Sequence, residues 1–148
     1  LMIHGDEIKV LEFNCRFGDP ETQPILMRLE SSLPEICMAA INNTIDEIEV
    51  VWKEDAAVGV VISAPGYPGK YQTGSAISLP PVDNINTKIF HAGTKIDQGS
   101  LITNGGRVLC VTALGKSLLH AKKNAYKTVQ NVEFDGMYFR KDIGDKAL

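Results

Sequence analysis

Glu12 and Asn14 sit one residue apart in the run Leu11-Glu12-Phe13-Asn14, an oxygen-bearing pair among apolar neighbours. If the run is extended, alternation puts both side chains on one face, about 7 Å apart along the strand. A buried carboxylate without a partner is costly, so such a pair calls for a cation or a network of donors. A carboxylate and an amide oxygen are hard ligands suited to Mg²⁺, which leaves most of its octahedron to water and phosphate oxygens. The pair therefore suits a metal whose remaining ligands come from a nucleotide. Arg16, two residues beyond Asn14, offers a fixed planar cation able to stabilise phosphoryl charge or clamp a carboxylate. Asp19 and Glu21 add carboxylates that could meet an amine. A plainer reading of the same residues is a surface ion pair between Glu12 and Arg16 beside a turn.

The elements that would position these groups follow from periodicity and punctuation. Glu7 to Asn14 reads as a strand, with Gly5-Asp6 before it as the turn of a hairpin whose first strand lies outside the chain. Gly18-Asp19-Pro20 marks a loop. A short helix over Gln23 to Leu29 carries Pro24 in its opening turn, and Ser32-Leu33-Pro34-Glu35 fits a capping box for a second. Beyond Asn43 the pattern turns to β. Strands are expected at Val50–Trp52, Ala57–Ser63, Ala76–Leu79, Lys88–Ala92, Leu101–Thr103 and Arg107–Ala113. Asp97-Gln98-Gly99 and Asn104-Gly105-Gly106 separate the later ones as hairpin turns. One main helix follows, capped by Ser117, with Leu118, Ala121, Ala125 and Val129 on one face. Lys116, Lys122, Lys123 and Lys127 form its solvated side, and Phe134 to Ile143 supplies a last strand.

Bulk properties narrow the function classes. A net charge of −3 gives no footprint for a nucleic-acid backbone or an anionic membrane. No apolar run nears the ~20 residues of a membrane span, and no leader pattern opens the chain. Cys15, Cys37 and Cys110 are widely spaced and odd in number, which argues for reduced, buried thiols in a cytoplasmic protein rather than a disulfide or metal knuckle. The abrupt start at Leu1-Met2-Ile3-His4 reads as a segment of a longer polypeptide.

The string Leu11-Glu12-Phe13-Asn14-Cys15-Arg16-Phe17-Gly18-Asp19-Pro20-Glu21-Thr22-Gln23 resembles the signature of the glycinamide ribonucleotide synthetase (phosphoribosylamine–glycine ligase) family, within the ATP-grasp superfamily. Further blocks resemble that family in the same order. They are Pro65-Gly66-Tyr67-Pro68-Gly69, Phe90-His91-Ala92-Gly93-Thr94, Thr103 to Leu109, Val111 to Gly115, and Phe134-Asp135-Gly136 with Phe139 to Gly144. The resemblance implies an α+β chain. Residues 1–48 would be the carboxy-terminal end of an ATP-grasp domain, and residues 49–148 a β-rich, barrel–sandwich hybrid-like domain with one main helix. It implies ATP as co-substrate, Mg²⁺ or Mn²⁺ on Glu12 and Asn14, and glycine and 5-phosphoribosylamine as substrates. Arg16 would stabilise the acyl phosphate or orient glycine, and Asp19 would receive the glycine ammonium. Asn104, Gly105, Gly106 and Arg107 have the look of an anion site, backbone donors followed by a guanidinium, against the plainer reading of a tight turn. His91 reads as a hydrogen-bonded core or edge residue, and Trp52 and Tyr67 as packing residues. The amino-terminal and nucleotide-lid portions of such an enzyme are absent, so the chain by itself is expected to be inactive.

Two other assignments compete. A related ATP-grasp ligase or carboxylase shares the strand motif loosely, though Gly18-Asp19-Pro20-Glu21-Thr22-Gln23 favours the glycine ligase. A non-catalytic hybrid-type module would carry a modifiable lysine at a hairpin tip, whereas Asp145-Lys146-Ala147 lies at the chain end.

Overall fold

The computed structural model describes residues 1–82 and 84–148. The chain is α+β. A first hairpin pairs β1 (Met2–His4) with β2 (Glu7–Lys9), antiparallel about Gly5-Asp6. Both hairpin strands thus lie inside the chain. The extended character expected up to Asn14 stops at Lys9, because residues 10–14 have no partner strand to bond to. Helix α1 (Thr22–Arg28) follows the loop, then α2 (Leu33–Ile41). Ser32 caps α2 with extended backbone and Pro34 in its first turn, but its side chain makes no capping hydrogen bond, so the expected capping box does not form.

The centre of the molecule is a three-stranded antiparallel sheet in the order β3 (Ala56–Ser63), β7 (Arg107–Gly115), β4 (Thr87–His91). Val60 pairs with Val111 and Ile62 with Leu109, which puts Val58, Val60 and Ile62 on the same face as Leu109, Val111 and Ala113. That face receives α3 (Leu118–Val129) through Ala121, Ala125 and Val129, all fully buried. Ser117 accepts a hydrogen bond from the His120 backbone N–H at 3.3 Å, so this cap forms as its sequence suggests. β7 is the middle strand and is covered on both sides. Its residues from Val108 to Leu114 are all buried, which explains the near-continuous apolar run. On the opposite face Cys110 and Thr112 lie near Gly59, and a Cβ on Gly59 would stand 3.4 Å from Pro24 of α1. Pro20 and Arg107 border a cleft on this second face.

A separate hairpin joins β5 (Thr94–Asp97) to β6 (Ser100–Thr103). Positive φ at Gln98 and Gly99 makes its tight turn, as the Asp97-Gln98-Gly99 string suggests, although β5 itself is not apparent from sequence. Several expected strands reduce to single bridges. Ala76 bridges Ile102, Ser78 bridges Glu133, Ser63 bridges Tyr138, and Trp52 bridges Leu29. The stretches at Val50–Trp52, Ala76–Leu79 and Phe134–Ile143 have strand-like composition, but each meets its neighbour at only one or two residues. No continuous ladder closes the described residues into a barrel. Asn104-Gly105-Gly106 is not a hairpin turn either, because β6 and β7 belong to different sheets.

Candidate functional site

Of the residues singled out by chemistry, Asp19 and Arg107 meet beside the cleft that Pro20 and Gly59 line. After β2 the chain runs as an exposed, irregular arm through Glu12, Asn14 and Arg16. Asn14 and Glu12 face each other even without a strand ladder, with the amide Nδ2 donating to Glu12 Oε1 at 3.2 Å. Amide N and O are interchangeable by rotation. With the oxygen turned inward, two oxygens at this separation match the edge of about 3.0 Å of an octahedron whose bonds are about 2.1 Å. The pair therefore fits a small hard cation that draws its other ligands from outside the protein. No group of three or more His, Cys, Asp or Glu side chains forms a self-sufficient metal cage among the described residues. No Glu12–Arg16 ion pair forms among the described residues, and Glu12 is bonded to Asn14 instead.

Beyond Arg16 the loop is held by local bonds. The Gly18 N–H donates to Glu21 Oε1 at 3.0 Å, and the Thr22 hydroxyl donates to the Gly18 carbonyl at 2.5 Å, which starts α1. One contact is long-range. Arg107 Nη2 lies 3.1 Å from Asp19 Oδ2, and Arg107 Nη1 donates to the Asp19 carbonyl at 3.5 Å. Two residues read from the sequence as separate candidates, one in the signature loop and one opening β7, thus meet across the sheet. Sequence offers no signal for this pairing, because 88 positions separate them.

The segment before Arg107 is shaped by close packing. The Asn104 N–H donates to the Gly93 carbonyl at 2.7 Å. A Cβ on Gly105 would come within 3.0 Å of the Gly93 Cα, and one on Gly106 within 2.3 Å of the Tyr67 ring. Both glycines are therefore required by the approach of neighbouring chain and ring. Tyr67 and Tyr71 form a tilted pair with centroids 6.2 Å apart above Gly106. A cleft of about 380 Å³ opens beside the ion pair, lined by Pro20, Gly59, Val61, Tyr67, Arg107 and Arg140. Arg140 was not singled out by sequence. Its guanidinium is bound by Asp142 at 2.6 and 2.9 Å, which holds that carboxyl below its usual range.

The remaining candidates are peripheral. His91 ends β4 at the surface, with Nδ1 3.1 Å from the Thr94 hydroxyl, an edge histidine as expected. Trp52 is 46% exposed and packs less than its composition suggests. Cys110 is buried, but Cys15 and Cys37 are exposed, contrary to the expectation of three buried thiols. Lys146 sits in a 3₁₀ turn, Asp145–Ala147, and the hairpin tips at Gly5-Asp6 and Gln98-Gly99 carry no lysine. No helix among the described residues is long and apolar enough to cross a membrane.

Comparison with known proteins gives one consistent family. Residues 57–146 match the model described as "Phosphoribosylglycinamide synthetase, C domain". A phosphoribosylamine–glycine ligase of Vibrio vulnificus (strain YJ016) is 51% identical over all of this chain and 35% of its own length. The ligase of the same name from Escherichia coli (strain K12) is 51% identical over 95% of this chain and 33% of its own. The crystal structure of phosphoribosylamine–glycine ligase from Thermotoga maritima superposes with a TM-score of 0.76 at 35% identity, covering 96% of this chain and 35% of that one. The chain thus spans about one third of the length of the relatives it matches.

Proposed function

The chain belongs to the phosphoribosylglycinamide synthetase family, and from that premise we propose that it supplies the metal-binding and part of the substrate-binding surface of a phosphoribosylamine–glycine ligase. The whole enzyme would join glycine to 5-phosphoribosylamine with ATP through a glycyl phosphate, a step of purine biosynthesis. The observation that carries this reading is the Asp19–Arg107 contact at 3.1 Å, because it ties the loop bearing Glu12, Asn14 and Arg16 to the opening of β7 in the matched domain.

Glu12 and Asn14 would hold Mg²⁺ or Mn²⁺ against the ATP phosphates. A divalent ion bound there would neutralise charge on the transferring phosphoryl group and hold it in line. Arg16, exposed and two residues on, is free to meet the acyl phosphate or the glycine carboxylate with its planar fork. The cleft lined by Pro20, Tyr67, Arg107 and Arg140 adjoins this loop and would receive part of a substrate. At the level of domains, residues 1–48 read as the end of the ATP-grasp unit. Residues 49–148 would be the barrel–sandwich hybrid-like domain, with the central sheet and the β5–β6 hairpin as its β-rich part.

The test is kinetic, in the intact polypeptide. Glu12→Ala and Asn14→Ala should each lower kcat by about two powers of ten or more, the several kcal/mol a Lewis-acid metal contributes. Each should also raise the Mg²⁺ concentration needed for half-maximal turnover. Normal turnover and metal requirement with both side chains removed would end this reading. Substrate choice separates the related enzymes, since turnover dependent on bicarbonate rather than glycine would instead favour a carboxylase.

A further inference from the structure

We propose that Arg107 is a positioning residue: through Asp19 it latches the loop of residues 15–20 to the rigid opening of β7, and so sets where Glu12, Asn14 and Arg16 stand. The inference rests on the functional reading above for its kinetic consequence, but the latch itself is a matter of geometry.

The anchor is firm. Arg107 begins β7, its carbonyl accepts from the Gly93 N–H at 2.8 Å, and the adjacent Val108 is fully buried. The arm it holds is not. Bonds within residues 10–20 are short-range, from Asn14 to Glu12, Cys15 to Phe13 and Gly18 to Glu21. Among the described residues, Arg107 makes the only hydrogen bonds or ion pair that join residues 10–20 to any part of the chain beyond Thr22. Both terminal nitrogens are used, one on the carboxylate and one on the backbone carbonyl of the same residue. A planar fork can span those two acceptors, and a lysine ammonium on a flexible stem cannot fix both.

The pair is half exposed, at 41% and 53%, so its contribution to global stability is small and its effect is local placement. One Asp19 carboxylate oxygen and both terminal nitrogens of Arg107 are engaged in the latch. Misplacing reacting groups by about 1 Å through a distant change costs about a hundredfold in rate. The candidate metal pair lies five to seven residues upstream of Asp19, without another long-range hydrogen bond or ion pair among the described residues.

The experiment uses the full-length protein and two readouts, steady-state kinetics with glycine varied and amide hydrogen exchange. Arg107→Ala and Asp19→Ala should each lower kcat about ten- to a hundredfold. The double variant should be no slower than the worse single, because both changes open one latch. Arg107→Lys and Asp19→Asn, gentler changes that keep one contact each, should fall between. The amides of Gly18 and Thr22, which donate the hydrogen bonds that shape this loop, should exchange faster in Arg107→Ala, while those of β7 beyond Val108 keep their protection. Wild-type kinetics together with unchanged exchange in Arg107→Ala would overturn the proposal. So would multiplicative losses in the double variant, which would mean that each residue meets substrate on its own. Exchange does not depend on turnover. If the unaltered protein made no glycinamide ribonucleotide, the functional reading would fail while the latch was still judged on the exchange result.

Discussion

Cys110 shows how a residue's surroundings set its chemistry. Its thiol is buried on the α1 face of β7, 3.6 Å from the Thr112 hydroxyl. Burial raises its pKa, an effect the Thr112 contact only partly offsets. Thiolate is the reactive form, so at neutral pH this cysteine is both inaccessible and protonated. Cys15 and Cys37 are exposed. A maleimide added to the native protein should therefore label Cys15 and Cys37 rapidly and Cys110 only after denaturation, as read by mass spectrometry of peptides. Fast labelling of Cys110 in the native state would contradict its placement against Gly59 and Thr112. The sequence could not separate the three thiols, because a cysteine carries no polarity signal that tells inside from outside. The Glu12–Asn14 pair was more legible. One intervening residue keeps the two side chains together whether the backbone forms a ladder or only an irregular arm. The partnership of Asp19 with Arg107 was not legible, since it depends on how α1 seats on the sheet.

At the scale of elements, sequence and structure agree where a segment's own pattern settles its state. β3, β7 and α3 are of this kind, because their apolar periodicity is long and each buries a full face. Disagreement gathers where a strand needs a partner that a local pattern cannot name. Val50–Trp52 and Phe134–Ile143 have β composition but find single bridges only. The two helix caps make the same contrast testable. Ser117 accepts the His120 N–H, whereas Ser32 makes no side-chain capping bond despite its capping-box spelling. Ser117→Ala should cost about 1 kcal/mol in urea unfolding, and Ser32→Ala less than about 0.5 kcal/mol. Equal losses at the two positions would show that the Ser32 hydroxyl caps α2 after all.

The whole molecule exposes more surface than a compact protein of its size. Its accessible area is 10285 Å², against about 7,500 Å² expected for a folded monomer of this mass. The excess, about 2,800 Å², is more than three times the roughly 800 Å² that one partner contributes to a standard interface. Much of it is apolar and lies in the first arm, where Ile3, Ile8, Leu11 and Phe13 are all exposed, Phe13 to 84%. On α1, Gln23 Oε1 and Arg28 Nε are buried without a hydrogen-bond partner among the described residues, which costs stability. An exposed two-stranded hairpin with unpaired edges is marginal in water and prone to pair with another chain. The 148-residue chain on its own should therefore bind a hydrophobic dye and elute above its monomer mass. It should also form no glycinamide ribonucleotide from ATP, glycine and 5-phosphoribosylamine, because the Glu12–Asn14 pair would face solvent instead of a nucleotide. In a polypeptide of the relatives' full length the same arm should become protected from exchange, and dye binding should fall. A well-behaved, dye-silent monomer would show that the arm covers its own apolar residues. Measurable ligase activity from this chain alone would show that two thirds of the relatives' length is dispensable for the chemistry.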